Sequence, residues 1–367
     1  MTQAGGTQAG AMSRVDLSIL ALALLGTRFV QGFIFWGGAS RRLFYDFRDI
    51  DAVDLAVKLD FNAPGFVAAK LTHALPGALW VQGPIEWTLR HPDLIVASVW
   101  LWTFIELAVG LALIFGLMTR AAALASLWLN VTLMLIFGWM GSTCLDEWTM
   151  AVSGVAMSSA LFIGGGGAYS LDARLGHTAW AQRNGWINWL ASGPLPEDTL
   201  RKVALALAAT CVVFTVLSYQ ILFGAVVSPL HSRVNFHRHN IALADVTVTP
   251  QGAVRFTAYV DAGPDTGAAY IIAARLVDHS GATVATWDGA ALAALPNEAI
   301  HNTYPYAWAS RFKTETIGFS GQTGARATIT LPGPAKESFA AATQYELVLT
   351  AIDGTIWRRS AGGPSLP

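Results

Sequence analysis

Apolar residues are concentrated in five runs, at approximately 15–36, 97–118, 120–140, 149–167 and 202–227. Each run is long enough to cross a hydrocarbon core of roughly 30 Å. The pattern therefore predicts a four-helix membrane bundle in residues 15–170, a linker at 171–201 and a fifth transmembrane helix at 202–227. Residues 1–14 are predicted to be disordered.

The composition supports a membrane protein. Hydrophobic residues make up 53% of the chain, charged residues 13%, and the mean hydropathy is +0.45. The first apolar run is too long for a cleaved signal peptide, and no small-residue cleavage site follows it. We therefore expect this run to remain in the protein as its first transmembrane helix.

Basic residues in the short connections predict the orientation, because they favour the cytoplasmic side. Those on the predicted inner side are Arg14, Arg120, Arg174, Arg183, Arg201 and Lys202. Their positions predict a cytoplasmic N-terminus and linker in a multi-pass cell (inner) membrane protein. The outer segment 37–96, the turn 141–148 and residues 228–367 then lie on the periplasmic or extracellular side.

Two regions on the predicted outer side have different patterns. Segment 37–96 contains a short helical stretch and interfacial tryptophans, which predicts a cap of helices over the outer mouth of the bundle. Residues 228–367 alternate between apolar and polar residues in short runs bounded by Gly, Pro and Asp, for example at 254–260. This pattern predicts an extracytoplasmic β-sandwich.

Charged residues inside the apolar runs are costly and therefore informative. Arg28 and Glu106 lie about eight and nine residues below the predicted outer ends of their helices, and Asn130 lies at a similar depth. The matching depths predict a buried Arg28–Glu106 pair with Asn130 nearby. The pair is either a fixed contact that sets the helix register or the polar floor of an outward-facing pocket.

The turn between the third and fourth runs carries Cys144 next to Asp146 and Glu147. The second cysteine, Cys211, is predicted to lie inside the fifth helix, roughly 20 Å away along the membrane normal. A disulfide requires Cα atoms within about 7 Å. Cys211 is therefore interpreted as a small core residue. Cys144 is either a buried free thiol or a reactive one.

The turn Ser142-Thr143-Cys144-Leu145-Asp146-Glu147-Trp148 resembles that of the DoxD subunit of thiosulfate:quinone oxidoreductase, in the wider DoxX-like membrane family. The fifth run, followed by the segments 228–231, 235–239 and 302–308, resembles the partner subunit DoxA. The resemblance implies a fused DoxD–DoxA chain that oxidises two thiosulfates to tetrathionate and reduces a membrane quinone. Because the sequence contains no motif for such a group, no metal, haem or flavin is predicted.

The candidate residues follow from this chemistry. Thiosulfate is a dianion, so its site needs positive charge and hydrogen-bond donors. The basic candidates are Arg28, Arg41, Arg42, Arg48 and Arg238. Quinones bind in apolar, aromatic pockets. The aromatic candidates are Phe33, Trp36, Trp102, Trp139 and Trp148. Cys144 is the candidate nucleophile, with Asp146, Glu147 and Glu106 as proton carriers.

Other classes of site find little support. His237 and His239 are two spaced ligands, too few for a metal site, and no haem, dinucleotide or phosphate-loop motif occurs. The net charge of −1 gives no basis for nucleic-acid binding. Two alternatives to the enzyme stay open: a non-catalytic membrane subunit that recruits a partner through its β-domain, and a thiol-based redox sensor. A homo-oligomer is also left open.

Overall fold

The computed structural model describes residues 8–45, 58–137, 145–193, 195–220, 238–264, 266–333 and 344–361. The chain divides into two compact units. The helical unit comprises Met1–Leu59, Val96–Met134 and Asp146–Arg233. The sheet unit comprises Asp60–Ile95, Leu135–Leu145 and Val234–Pro367.

The described helices are numbered in chain order. They are α1 (Gln8–Ser40), α2 (Ala69–Ala74), α3 (Gln82–Leu89), α4 (Pro92–Phe115), α5 (Thr119–Phe137), α6 (Leu145–Gly164), α7 (Leu171–Leu175), α8 (Ala179–Arg183), α9 (Gly185–Leu190), α10 (Glu197–Ser218) and α11 (Gly289–Ala293). A π-helical turn, Arg41–Tyr45, continues α1, and 3-10 turns occur at Leu75–Gly77 and Asn297–Ala299.

Three described helices, α4, α5 and α10, are long and apolar enough to cross a membrane. Within α6 the apolar helical stretch is Thr149–Gly164, which is shorter. Helix α1 begins before the predicted apolar run and continues beyond it. The predicted class, membrane helices followed by an all-β region, is confirmed.

Helices α1 and α4 approach closely where glycines face each other. A Cβ atom on Gly110 would lie 2.7 Å from the backbone nitrogen of Trp36, and one on Gly32 would lie 2.8 Å from Cγ1 of Ile114. Small residues permit such close backbone packing between membrane helices. The contact brings the end of α1 close to the second half of α4.

The described strands form two antiparallel sheets. They are β1 (Asn240–Val248), β2 (Val254–Ala262), β3 (Ala268–Asp278), β4 (Thr283–Trp287), β5 (Ile300–Asn302), β6 (Phe312–Thr314), β7 (Phe319–Gln322), β8 (Arg326–Leu331), β9 (Tyr345–Ala351) and β10 (Ile356–Ser360). One sheet has the order β1-β2-β8-β5, and the other has the order β10-β9-β3-β7-β6 with β4 paired to β3.

The two sheets share one hydrophobic core. Phe256 and Ile329 from the first sheet and Ile271, Leu276 and Leu347 from the second are completely buried in the same cluster. Their alternation along each strand places one face of each sheet inward. The predicted β-sandwich is therefore confirmed.

The sheet unit also contains the cap segment Asp60–Ile95. Thr72 Oγ1 accepts hydrogen bonds from the backbone nitrogen and the hydroxyl of Ser310, each at 3.1 Å. The hydroxyl of Tyr306 donates to the carbonyl of Leu89 at 2.8 Å. These contacts join residues far apart in sequence, so residues 60–95 fold together with the β-domain.

Candidate functional site

A buried carboxylate on α4 is the centre of the clearest polar site in the helical unit. Glu106 is 6% exposed. Its Oε2 lies 2.6 Å from Nη1 of Arg42, and its Oε1 accepts a 2.7 Å hydrogen bond from the indole nitrogen of Trp102. Nη1 of Arg42 also donates to the hydroxyl of Thr103 at 3.1 Å. The carboxylate of Glu106 thus forms an ion pair with one residue and accepts a hydrogen bond from the aromatic side chain of another.

Local structure explains this arrangement. Trp102 and Glu106 are four residues apart on α4, so they lie on the same face of the helix. Arg42 lies in the π-helical turn that continues α1. A Cβ atom on Gly38, one turn earlier, would be 3.1 Å from Oε2 of Glu106. The glycine leaves room for the carboxylate against α1.

The predicted Arg28–Glu106 pair is wrong in its choice of arginine. Arg28 donates to the carbonyls of Gly166 and Tyr169 instead, the latter at 2.7 Å. Arg28 is level with Glu106 only if α1 ends with the apolar run, but the helix continues past that run into the Arg41–Tyr45 turn. The arginine level with Glu106 is therefore Arg42. It follows the apolar run in a polar stretch, so hydropathy does not predict that it lies at this depth.

Asn130 was also predicted near the pair but bonds elsewhere. Its amide donates to the carbonyl of Ser126 at 2.8 Å. The hydroxyl of Ser126 lies 2.7 Å from that of Ser158 and accepts a 2.7 Å bond from the Gln31 amide. Phe35, buried on the same face of α1, comes between Gln31 and Gly38 in sequence. Two polar layers thus exist in the bundle where the sequence predicted one.

The remaining basic candidates do not converge on Glu106 within the described residues. Arg41 is exposed, and its Nε donates to the Gly37 carbonyl at 3.2 Å. Arg238 is exposed at the start of the described β-domain. Hydrogen bonds from Thr355 lower the pKa of Asp353, and the charge of Arg238 makes a smaller contribution in the same direction. Arg48 lies outside the described residues. The contacts of Arg28 favour a structural role for it.

The aromatic candidates differ in their surroundings. Trp102 contacts Glu106 directly. Trp36 is half-buried, with its ring 6.2 Å from that of Phe44. Phe33 is 53% exposed and stacks on Phe29. Trp139 and the side chain of Trp148 lie outside the described residues. Of the five, only Trp102 has a described polar partner in the site.

The thiol candidates are only partly described. Cys144 and the side chains of Asp146 and Glu147 lie outside the described residues, although both acids belong to the first turn of α6. Cys211 is a half-buried free thiol whose sulfur lies 3.7 Å from the hydroxyl of Ser159. Its contact with α6 agrees with its interpretation as a packing residue. The role of Cys144 stays a prediction.

The segment 302–308, which carried part of the DoxA resemblance, lies where the cap meets the sheets. The ring of Tyr306 stacks on that of Trp308 at 4.9 Å and meets the edge of Phe61 at 5.1 Å. Tyr304 is buried, and this burial raises the pKa of its phenol. These aromatic residues form the contact that holds the cap.

A charged contact reinforces this interface. Nη2 of Arg326 on β8 lies 3.2 Å from Oε1 of Glu86 on α3. Its guanidinium carbon also lies 4.4 Å from the ring centroid of Tyr259, within cation–π range. Sequence reasoning missed this site because neither Glu86 nor Arg326 belongs to a recognisable motif.

The histidine pair has no metal-like surroundings in the described part of the chain. His239 Nε2 donates to the carbonyl of Pro264 at 3.2 Å. Burial lowers the pKa of His239, against the opposing effects of two backbone hydrogen bonds and Asp353. His237 lies outside the described residues, and no group of three potential ligands occurs among the described ones.

Two family models match the chain in tandem. The model described as TQO small subunit DoxD matches residues 42–202, and the model described as TQO small subunit DoxA matches residues 222–360. No solved structure matches the chain. The cap lies in the first match and the sheets in the second, so the sheet unit is built from both.

Proposed function

The chain belongs to the DoxD and DoxA families in tandem, and from this premise we propose that it oxidises thiosulfate and reduces a membrane quinone. TQO denotes thiosulfate:quinone oxidoreductase, and the family membership supports this reaction class. The apolar helices are suited to a membrane, and a quinone dissolves in that membrane. The substrates are thus a water-soluble dianion and a lipid-soluble acceptor.

The observation that carries the proposal is the buried contact of Glu106 with Arg42 and Trp102. Reduction of a quinone to a quinol consumes two electrons and two protons. A carboxylate inside an apolar helix is costly even when it is paired, so its presence there indicates a function. We assign Glu106 to proton delivery, Arg42 to holding its charge, and Trp102 to the edge of the quinone pocket.

For the sulfur chemistry we propose a cycle with one thiol. The Cys144 thiolate and the outer sulfur of thiosulfate form an S–S bond, and the two electrons lost go to the quinone, which takes up two protons. The product on the enzyme is a Cys144 thiosulfonate. A second thiosulfate attacks it, releasing tetrathionate and restoring the thiolate.

The remaining predicted residues have auxiliary roles in this proposal. Asp146 and Glu147, next to Cys144 in the sequence, join Glu106 as proton carriers. The arginines Arg41, Arg48 and Arg238 stay candidates for attracting thiosulfate. The aromatic residues Phe33, Trp36, Trp139 and Trp148 stay candidates for the quinone pocket. Membrane quinone is a co-substrate in this proposal.

The test is thiosulfate-dependent reduction of a quinone analogue by the purified full chain, with tetrathionate measured in parallel. We expect about one tetrathionate per quinol. Cys144→Ser should abolish tetrathionate formation. Full activity of a folded Cys144→Ser protein would contradict the covalent cycle and leave direct electron transfer between bound substrates.

The proton role needs a variant that keeps the fold. Glu106→Gln alone leaves the half-buried Arg42 charge without its carboxylate partner, which costs at most roughly 3–5 kcal/mol. The double variant Glu106→Gln/Arg42→Gln removes both charges. We expect it to fold and to lose at least about 100-fold in kcat, the usual contribution of a general acid. Arg255→Gln, on the exposed face of β2, is the control that should keep full activity.

A second candidate function rests on the description of both models as small subunits. The chain would then be a non-catalytic membrane subunit that recruits a redox partner through its β-domain. Purification under mild conditions distinguishes the two. A stoichiometric flavin- or haem-containing protein, together with no turnover by the isolated chain, would favour the subunit over the enzyme. A redox sensor would show thiol oxidation without multiple turnovers.

A further inference from the structure

The connection between α6 and α10 has an unusual exposed surface. Residues 165–193 contain α7, α8 and α9, and we call their exposed aromatic and basic side chains the linker face. This face comprises Tyr169, Arg174, Trp180, Arg183, Trp186 and Trp189. We propose that the linker face lies on the membrane surface and binds anionic lipid headgroups. From the sequence, this region is predicted only as a cytoplasmic linker at 171–201.

The first part of the linker is held at the ends of membrane helices. The two carboxylate oxygens of Asp172 accept backbone hydrogen bonds from Met118 at 2.6 Å and Thr119 at 2.9 Å. These residues form the junction between α4 and α5. Arg28 of α1 binds the carbonyl of Tyr169. The start of the linker therefore cannot move away from the helix ends.

The last part of the linker is held in the same way by Arg120, in the first turn of α5. Its Nε donates to the carbonyl of Phe162 on α6 at 3.1 Å. Its Nη1 donates to the carbonyls of Trp189 at 3.1 Å and Gly193 at 2.7 Å. A transmembrane helix ends near the boundary of the bilayer. A segment fastened to such ends must lie close to that boundary.

The aromatic side chains of the linker face are poorly suited to water. Tyr169 is 69% exposed, Trp180 58%, Trp186 64% and Trp189 42%. Leaving this many aromatic surfaces in water forgoes the burial energy of large apolar groups. Rings with an apolar body and a polar atom are enriched at the headgroup level of bilayers. The lipid interface satisfies both parts of these side chains.

The charges of the linker face identify the type of lipid. Arg174 and Arg183 are exposed, and neither has an ion-pair partner in the part of the chain that the structure describes. Asp172 is the only acid in residues 165–193, and it is buried in the contacts described above. The face is therefore positively charged. Anionic headgroups complement it.

Charges near the start of α10 do not reverse this sign. Glu197 and Asp198 lie in the first turn of α10, where acids interact favourably with the helix dipole. Arg201 and Lys202 follow in the next turn of the helix and are exposed. Two acids and two bases in this stretch balance each other, so Arg174 and Arg183 dominate the surface.

The test measures lipid retention by the full chain in nanodiscs of phosphatidylcholine with a minor fraction of phosphatidylglycerol. After extraction with mild detergent, mass spectrometry counts the retained phosphatidylglycerol. A basic residue near an anionic membrane surface contributes about a fivefold preference. Arg174→Gln/Arg183→Gln should therefore reduce the enrichment at least tenfold, and each single variant about fivefold. Arg255→Gln is the matched exposed control and should change nothing.

A second measurement tests the aromatic part. Lipids brominated near the headgroup should quench the tryptophan fluorescence of the parent protein more than that of Trp180→Ala/Trp186→Ala. Unchanged enrichment in the double arginine variant, or unchanged quenching in the double tryptophan variant, would overturn the proposal. Release of the lipid by equimolar inorganic phosphate would also overturn it, because that result indicates a site for free anions. None of these measurements requires thiosulfate or quinone, so they are independent of the proposed function.

Discussion

Replacing Gly324 with alanine should separate the cap from the β-domain. Gly324 has a φ of +80° and donates its backbone hydrogen to the carbonyl of Val260. A Cβ atom at this position would lie 1.8 Å from the carbonyl oxygen of Thr72. Because the obstacle is backbone and not a flexible side chain, the cap itself must move.

The magnitude follows from two contributions. The left-handed backbone costs an alanine about 1–2 kcal/mol. Moving Thr72 away also breaks the two hydrogen bonds that it accepts from Ser310, at about 1 kcal/mol each. Gly324→Ala should therefore lower the free energy of unfolding by roughly 3–4 kcal/mol.

Gly354 provides a matched control. Its φ is +83°, but a Cβ atom there would meet nothing within 4 Å. Gly354→Ala should lower the free energy of unfolding by only the backbone cost of about 1–2 kcal/mol. The difference between the two variants isolates the contact with the cap.

The assay is thermal unfolding of the full chain in detergent, with limited proteolysis of residues 60–95 as a local probe. At roughly 2–4 °C per kcal/mol for a unit of this size, the Gly324 variant should melt about 4–8 °C below the Gly354 variant. Its cap should also be cleaved faster. Equal melting points and equal cleavage for the two variants would refute the cap contact.

Three further variants test other contacts. Arg326→Gln should lower the free energy of unfolding by roughly 1–3 kcal/mol because it leaves a half-buried carboxylate without its main partner, whereas Arg358→Gln, in an exposed pair, should change it by less than about 1 kcal/mol; equal losses in chemical denaturation would contradict this. Because burial lowers the pKa of His239 below its usual 6.5, the unfolded chain binds more protons, so stability should fall as the pH drops below that value. Melting curves of His239→Gln should lose this pH dependence and those of the exposed His279→Gln should keep it; a parent protein with no such dependence would rule the explanation out. Asp172→Asn keeps only one carboxylate-like acceptor for two backbone donors, so residues 165–193 should be cleaved faster by protease; unchanged cleavage would show that these bonds do not hold the linker.

Particular residues show how far the site could be predicted. The burial and charge pairing of Glu106 followed from its place in an apolar run, because an unpaired charge there is too costly. The identity of its partner did not follow, because that depends on where α1 ends. Trp102 was predicted as an aromatic neighbour of the quinone, and its four-residue spacing from Glu106 was a usable signal of contact.

The cap shows a different limit. Its short helices were predictable from local sequence, but its inclusion in the sheet unit was not. That association rests on contacts such as Thr72 with Ser310, which are 238 residues apart. No local sequence pattern predicts such a pairing, because the residues next to Thr72 and Ser310 would form the same local structure without this contact.

By itself, the sequence determined the membrane helices, the β-sandwich and the family, because hydrophobic length, strand alternation and short motifs are properties of neighbouring residues. Only the tertiary structure decided which arginine neutralises Glu106, which sheets hold the cap and where the linker is fastened. Each of these depends on the close approach of distant backbones, as at Gly110 and Gly324. Such approaches are set by the packing of whole elements, which no single stretch of sequence encodes.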